Sequence, residues 1–355
     1  MNYKKMKKYF NDEYEFRVSR RDDLPLVLEF IDKYWKKDHA LVLSRPLMDW
    51  QHLDRIRNRY NFFIAVHRKS GEIHALQGII PTSQYDSEID NPLIMGAIWK
   101  VRDDAVLPGL GMMVRLYGET QIVGCARGGL GLSSDASCID KHMNFRHGTC
   151  NHYYILNPTI ASFKIAGNVN RKCLFKREIN FTDKQFIDIS EDDYLSLPND
   201  VFMSVPFFKS KNYYVNRFFR HPVYDYKATL ISDTSGGALG IFFWRFCVNE
   251  GSCCMRIVDM FMKPGALSGN HANFERLLQT HNAEYVDCYN IGYPESEFYA
   301  AGFSERHQSD IIIPNYFEPF VQENCELSYS LSISGINLNP LLFKADGDQD
   351  RPNRV

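Results

Sequence analysis

Short runs in which apolar and polar residues alternate read as strands along this chain, and between them apolar residues recur at helical spacing. Residues 14–19 (YEFRVS) alternate in this way; Asp22 or Asp23 then caps a helix over 24–35 whose buried stripe is Leu24, Val27, Leu28 and Ile31. The pattern predicts a second helix around 48–57, strands over 61–67 and 73–81 joined by a turn at Lys69, Ser70 and Gly71, and a longer strand over 93–106. A helix-like segment follows Gly111, then a strand over 129–132, a helix over 135–143 and an aromatic strand over 152–156.

Residues 157–200 break the pattern at Asn157-Pro158 and end in the acidic EDDYLSLPND. Beyond them the order recurs: a helix over 213–219, strands over 226–231, 238–248 and 253–262, the turn KPGALSGN, a helix over 272–280, a strand over 285–289 and a short helix over 296–301. The two helices of matching position run into Asn144-Phe145 and Gly302-Phe303, an offset of 158 residues (144 to 302). Asn and Gly are the residues that most readily take the left-handed conformation that closes a helix. Two copies of one α/β unit are therefore expected: residues 12–165 as the first domain, 166–200 as a connection, 201–335 as the second domain and 336–355 as a tail.

Composition narrows the class. With 45% hydrophobic and 24% charged residues the chain is globular, and 41 Lys+Arg against 43 Asp+Glu leave no overall basic field for a nucleic-acid partner. No apolar run reaches the ~18–20 residues needed to span a bilayer. Lys4, Lys5, Lys7 and Lys8 precede no apolar stretch, so neither membrane insertion nor export is expected and the cytoplasm is the expected location. The nine cysteines include no CxxC pair and are expected to be reduced core fillers, Cys253 and Cys254 included. Asp346, Asp348 and Asp350 imitate an EF-hand start, but Arg351 falls where that loop needs glycine, so no metal is expected. The acidic tail is read either as solvated or as folding back to order a cleft. The aromatic load of 14% suits a large core, a cleft for flat ligands, or both.

The segment most informative about chemistry is VLPGLGMMVRLYGETQIVG, residues 106–124, in which a strand end, a glycine-rich turn and a helix follow one another. Gly109 and Gly111 allow a tight turn and close approach of a ligand, and the free N–H groups of the helix start favour a pyrophosphate. Taken together these elements resemble the GNAT acyltransferase superfamily. Its loop runs Arg or Gln, two residues, Gly, one residue, then Gly or Ala; Gly109 and Gly111 match, while Val106 replaces the first position. The second copy, Lys263-Pro264-Gly265-Ala266, lacks the paired spacing. DHALVLSRPLMDWQH (38–52) and KADGDQDRPN (344–353) further resemble the double-domain N-acyltransferases that act on nucleotide-linked amino sugars in bacterial surface-polysaccharide pathways, of the anthrose-pathway type.

The resemblance implies an α/β (α+β) fold of tandem GNAT-like domains, each a mixed, mostly antiparallel sheet flanked by helices. It implies an acyl-CoA co-substrate (acetyl-CoA or a short hydroxyacyl-CoA) and an acceptor amine on a dTDP-, UDP- or GDP-linked amino sugar. The cofactor would lie on Val106, Leu107, Gly109, Leu110, Gly111 and Met112, with Pro108, which has no N–H, shaping the turn. Direct attack by the amine calls for a base in reach. Asp103 and Asp104 at the end of the cofactor strand, and His39, are the candidates; Ser134 is placed to protonate the leaving thiolate, or to cap a helix. The tyrosine that the family often carries before Gly-Phe is replaced by Asp140 and Phe298. Trp99, Tyr153, Tyr224 and Glu295 are expected to line the acceptor cleft. An aminoacyl-tRNA-dependent transferase of the same fold and a non-catalytic binding module remain alternatives.

Overall fold

The computed structural model describes residues 7–104, 108–122, 124, 126–170, 183–333, 341–353 and 355. The strands of the first half are β1 (Tyr14–Arg20), β2 (Arg59–His67), β3 (Ile73–Pro81), β4 (Leu93–Val101), β5 (Ala126–Leu130), β6 (Arg146–Thr149) and β7 (Asn151–Leu156). Those of the second are β8 (Gln185–Ile189), β9 (Lys227–Ser232), β10 (Ala238–Asn249), β11 (Ser252–Met262), β12 (Tyr285–Ile291), β13 (Ser304–Glu305), β14 (Ser328–Ile333) and β15 (Leu342–Phe343). The helices are α1 (Leu24–Phe30), α2 (Ala40–Leu43), α3 (Arg45–His52), α4 (Leu110–Gln121), α5 (Ser134–His142), α6 (Glu191–Ser196), α7 (Lys211–Tyr214), α8 (His271–His281) and α9 (Glu295–Ala300).

The first sheet runs β1–β2–β3–β4–β5–β14–β6, with Leu53–Asp54 paired at the start of β2. The second runs β8–β9–β10–β11–β12–β7–β13, with β15 paired to β12. Position for position the two orders are the same. Each sheet has a parallel pairing at its centre, β4 with β5 and β11 with β12. The recurrence predicted from the sequence is therefore a repeat of topology, and the fold class expected above is the one observed.

Each sheet takes its sixth strand from the other half of the sequence. β7 lies between β12 and β13, and β14 between β5 and β6. The compact units follow suit: one comprises Met1–Gly148, Ser328–Asn337 and Gly347–Val355, the other Thr149–Leu327 and Leu338–Asp346. Both the division at 148 and the return of 328–337 differ from the boundaries expected at 165 and 335. Local pattern identifies 152–156 as a strand but carries no information on which sheet receives it.

Alternation then builds the layers. In unit 1, Tyr60, Phe62, Ile64 and Leu76 pack on α1, α2 and α3, while Phe63, Ala65, Ala75 and Ile79 face Leu110, Met113 and Val114 of α4. Ser44 accepts the Leu47 N–H (3.3 Å) to start α3, whose first turn also holds Pro46. In unit 2, Trp244, Phe242 and Met260 pack against Phe274 and Leu278 of α8 and Phe298 of α9. On the other face Tyr214, Phe218 and Phe243 stack, with Phe218 and Phe243 4.7 Å apart between centroids, and Phe261 lies tilted against Tyr214. Much of the aromatic surplus is thus core. α1 and α7 each run on into a π-helical turn, Ile31–Trp35 and Val215–Phe219.

The repeat holds down to single hydrogen bonds. After α5, Asn144 has φ 61°, its N–H donates to Lys141 O (3.0 Å) and that of Phe145 to Asp140 O (3.0 Å). After α9, Gly302 has φ 90°, its N–H donates to Tyr299 O (3.0 Å) and that of Phe303 to Phe298 O (3.0 Å). Both are the paired closure in which the residue after the helix turns left-handed. Phe145 and Phe303 then bury their rings.

Candidate functional site

β4 and β5 run together for only three pairs, Leu93–Ala126, Ile94–Arg127 and Met95–Gly128. Beyond them β4 bulges: Ile79 opposes Gly96 and Gln77 opposes Trp99, leaving Ala97 and Ile98 against Gly78 alone. Past Met95, no strand among the described residues pairs with the β5-facing edge of β4, and the two strands part around an opening. Small residues line its apex. A Cβ on Gly128 would stand 2.6 Å from Ser330 O, so only glycine fits there.

The helix that follows β4 in sequence presents its N-terminus. Gly109 takes φ 93° and precedes α4, a conformation that costs other residues strain. Met113 N–H is bonded to Gly109 O (2.9 Å), and the amides of Leu110, Gly111 and Met112 have no hydrogen-bonded partner among the described residues. The indole N–H of Trp99 donates to Gly111 O (3.3 Å), tying the first turn of α4 to β4. Trp99, expected to line the acceptor cleft, thus braces this turn. Val106 and Leu107 lie outside the described residues.

The other expected residues scatter. β4 ends at Val101, so Asp103 and Asp104 stand in an exposed turn rather than on alternating strand faces. Lys100 Nζ lies 2.5 Å from Asp103 Oδ1; Arg102 Nε lies 2.5 Å from Asp104 Oδ1 and its other nitrogens reach Glu72 and Asp104. The hydrogen bonds from Arg102 hold the Asp104 carboxyl down at about 2. A carboxylate so stabilised is a weak proton acceptor. His39 is buried, its Nδ1 accepts the Leu41 N–H (3.2 Å) to start α2, and Arg351 contacts its Nε2. Burial first, and then the Arg351 charge, lower it to about 3. Ser134 is exposed in the first turn of α5, and the capping role belongs to Ser133, which accepts the Ala136 N–H (3.3 Å).

Tyr153, expected to line the acceptor cleft, instead lies at 0% exposure in the unit 2 core, stacked on Phe298 with centroids 4.2 Å apart. An aromatic strand residue fits both a core and a stacking site, and composition cannot separate them. Tyr224 is half-buried in unit 2 between His221 and Arg245. Glu295 is exposed at the start of α9.

The C-terminal residues are where sequence reasoning left two readings open, and the structure folds them back. In unit 1, a Cβ on Gly347 would lie 3.7 Å from Met95 Cε and 3.9 Å from Leu130, beside the opening. Gln349 donates to Leu130 O (3.2 Å), and Gly131, at φ 65°, leaves room only for the Gln349 side chain. Asp350 is buried and Arg351 reaches His39. Within unit 1, segment 38–52 thus meets the 347–353 part of the second segment that carries the finer resemblance, through this contact. Asp140, at the position of the family's tyrosine, is buried and accepts from Ser330 (2.6 Å) and Arg115 (3.3 Å). That makes it part of the seam between α4, α5 and β14.

Among the described residues no helix is long and apolar enough to cross a membrane, and no group of three His, Cys, Asp or Glu is placed to hold a metal ion.

Parallel strands that part at mid-sheet recur in both units, and in the first they are followed by a glycine-capped helix; this is a tandem GNAT-like fold. Solved structures with this fold include a conserved protein from Enterococcus faecalis V583 described as a probable N-acyltransferase (7% identity, TM-score 0.55, covering 89% of this chain and 71% of that one). GCN5-related N-acetyltransferases from Kribbella flavida (11%, 0.55, 91% and 72%) and Anabaena variabilis (9%, 0.55, 90% and 72%) match equally well. No protein-family model and no curated protein matches the chain.

Proposed function

We propose that the chain is an acyl-CoA-dependent N-acyltransferase whose first unit holds the donor and whose acceptor is the amine of a nucleotide-linked amino sugar. The observation that carries this reading is the β4 edge beyond Met95, leading in sequence to three amides at the start of α4, neither edge nor amides being paired among the described residues. The pyrophosphate accepts hydrogen bonds from Leu110, Gly111 and Met112, where the helix dipole also favours an anion. The pantetheine arm replaces the missing strand along β4. One of the exposed backbone N–H groups of that edge donates to the thioester oxygen, most strongly as negative charge develops there. The amine attacks the carbonyl carbon, the C–N bond forms, the C–S bond breaks, and coenzyme A leaves as the thiol once the amine's proton has passed to the thiolate.

The donor class is supported by the shared fold of proteins described as N-acetyltransferases. The acceptor class is supported by the finer resemblance of residues 38–52 and 344–353, which the structure brings together at His39 and Arg351. Acetyl-CoA or a short hydroxyacyl-CoA is the donor, the amino sugar is dTDP-, UDP- or GDP-linked, and the reaction belongs to the cytoplasm. Thiol release from acetyl-CoA, measured with a panel of nucleotide-linked amino sugars, tests the reading. Release that requires an amino sugar is expected. Tight binding of a nucleotide sugar with neither coenzyme A binding nor thiol release overturns it in favour of a binding module.

A further inference from the structure

We infer that the cofactor site of the second unit is filled by the chain itself, so that one coenzyme A binds per chain; this rests on the reading of the first unit given above. β11 and β12 occupy the places of β4 and β5, and they too run together for three pairs: Met255–Val286, Arg256–Asp287 and Ile257–Cys288. They too part at a bulge, where Phe243 opposes Asp259, Trp244 opposes Ile257, and Val258 is the extra residue.

Residues 342–346 occupy this second opening. β15 pairs with β12, Phe343 opposite Asn290 and Leu342 opposite Ile291, and also packs on β11. Leu342, Phe343 and Ala345 are buried. The following turn is fastened on every side. Lys209 Nζ stands 2.7 Å from Asp259 Oδ2 and 2.7 Å from Asp346 Oδ1, and all three side chains are withdrawn from solvent. Asp346 accepts the Phe343 N–H (2.7 Å), Arg217 donates to Ala345 O (3.1 Å) and Lys344 to Asn315 Oδ1 (2.5 Å). A buried ion is tolerated only with its partners in place, so the segment is held where a pantetheine arm would lie.

The loop before α8 is filled independently. Lys184 Nζ donates to Gly265 O (2.5 Å), Ala266 O (3.2 Å) and Ser268 O (2.8 Å). Glu297 Oε1 accepts the Gly265 N–H (2.8 Å). Asn270 donates to Ala266 O and Leu267 O (both 2.8 Å). The loop thus turns carbonyls toward a cation and offers its glycine amide to a carboxylate, the reverse of what a pyrophosphate needs. Neither half of the second site is open to the cofactor.

Calorimetric titration of the full chain with coenzyme A tests this, together with hydrogen–deuterium exchange of the unliganded protein. One site per chain is expected, lost with Gly109→Val and retained with Gly265→Val. Exchange at 342–346 and at the end of β12 is expected to be slow and to quicken in Lys209→Met. Two sites, or binding that tolerates Gly109→Val and fails with Gly265→Val, overturn the inference, as does fast exchange at 342–346 in the unaltered chain. Absence of any coenzyme A binding overturns the proposed function instead, while slow exchange at 342–346 still shows the second opening filled.

Discussion

In unit 1 the sheet parts after Met95 and Gly128 around an edge with no strand partner among the described residues, and three amides of the adjoining helix start have no hydrogen-bonded partner among those residues. In unit 2 the sheet parts after Ile257 and Cys288 at a matching bulge, but residues 342–346 complete the edge and Lys184 and Glu297 satisfy the loop. Strand order, bulge and helix closure are alike, so topology alone does not make a binding site. What differs is whether unpaired backbone groups are left for a ligand or are met by the protein's own side chains and strand. A buried backbone group must find a partner somewhere. The two units answer that demand in opposite ways.

The largest effect that separates the units is expected at Lys209. Its removal as Lys209→Met leaves Asp259 and Asp346 buried against each other without the ammonium that bonds both. Burial already pushes the Asp259 carboxyl up to about 7, with Lys209 opposing. Breaking such a group costs about 3–5 kcal/mol, to be read from chemical denaturation, with coenzyme A affinity of the folded fraction unchanged. Replacing all three residues by apolar ones of similar volume is expected to recover most of the loss. If it does not, the triad contributes more than mutual compensation of charge.

Next in size is the glycine pair. Gly109 (φ 93°) and Gly265 (φ 80°) both require a conformation that valine resists, so either substitution costs roughly 1–3 kcal/mol in strain. Only Gly109→Val is expected to weaken coenzyme A binding, by roughly 100-fold or more, since it also displaces the amides aimed at the pyrophosphate. Equal losses for the two variants would erase the distinction between the loops.

Acid is expected to open the units in order. Burial lowers His39 and His52 to about 3 in unit 1 and His152 to about 4 in unit 2, the last despite its bond to Asp287. Above the unfolded value of 6.5 both states are neutral and the stability is fully present. As pH falls from 6.5 toward 3 the unfolded chain takes up protons that the folded one refuses, and stability is lost at on the order of 1.4 kcal/mol per pH unit for each histidine. Asp259 works in the opposite sense, because its folded value is raised: its contribution is fully present below 3.8 and lost as pH rises through about 7. Unit 1, with two such histidines and no such carboxyl among those named, is therefore expected to exchange its amides first as pH falls to 5. Earlier opening of unit 2 would show that the buried charges around Asp259 and Asp287 decide acid stability instead.

Much of this comparison was legible in the residue pattern. The ranges 73–81 and 14–19 match β3 and most of β1, and Asn144 and Gly302 announced identical helix closures because left-handed backbone leaves few residue choices. Gly109 was legible for the same reason. The exchange of β7 and β14 was not, since His152 to Leu156 would suit the centre of either sheet. Nor was Lys184 at the second loop, whose contact spans 81 residues. KADGDQD read equally as a solvated tail or an ordered one: burial of Lys344, Asp346 and Asp350 depends on partners such as Asn315 and Lys209, which no local spacing reveals.

The smallest effect is expected at the carboxylates that sequence position recommends most as bases. Asp103 and Asp104 lie close to the loop in sequence, yet each is exposed and paired with its own neighbour, Lys100 or Arg102. Arg102 in turn is shared with Glu72 and lies over the Tyr34 ring, 5.1 Å from its centroid, so Asp104 serves to hold a guanidinium in place. An acid held at about 2 gains little by accepting a proton from an amine at neutral pH. Asp103→Asn and Asp104→Asn are each expected to leave kcat within about two-fold and the pH–rate profile unmoved, as exposed substitutions usually do. A fall beyond ten-fold in one variant, with loss of the acidic limb of that profile, would assign the base to that residue. It would also require its ion pair to open when the acceptor binds, and a difference in KM between the two variants would show which face of the turn the acceptor meets.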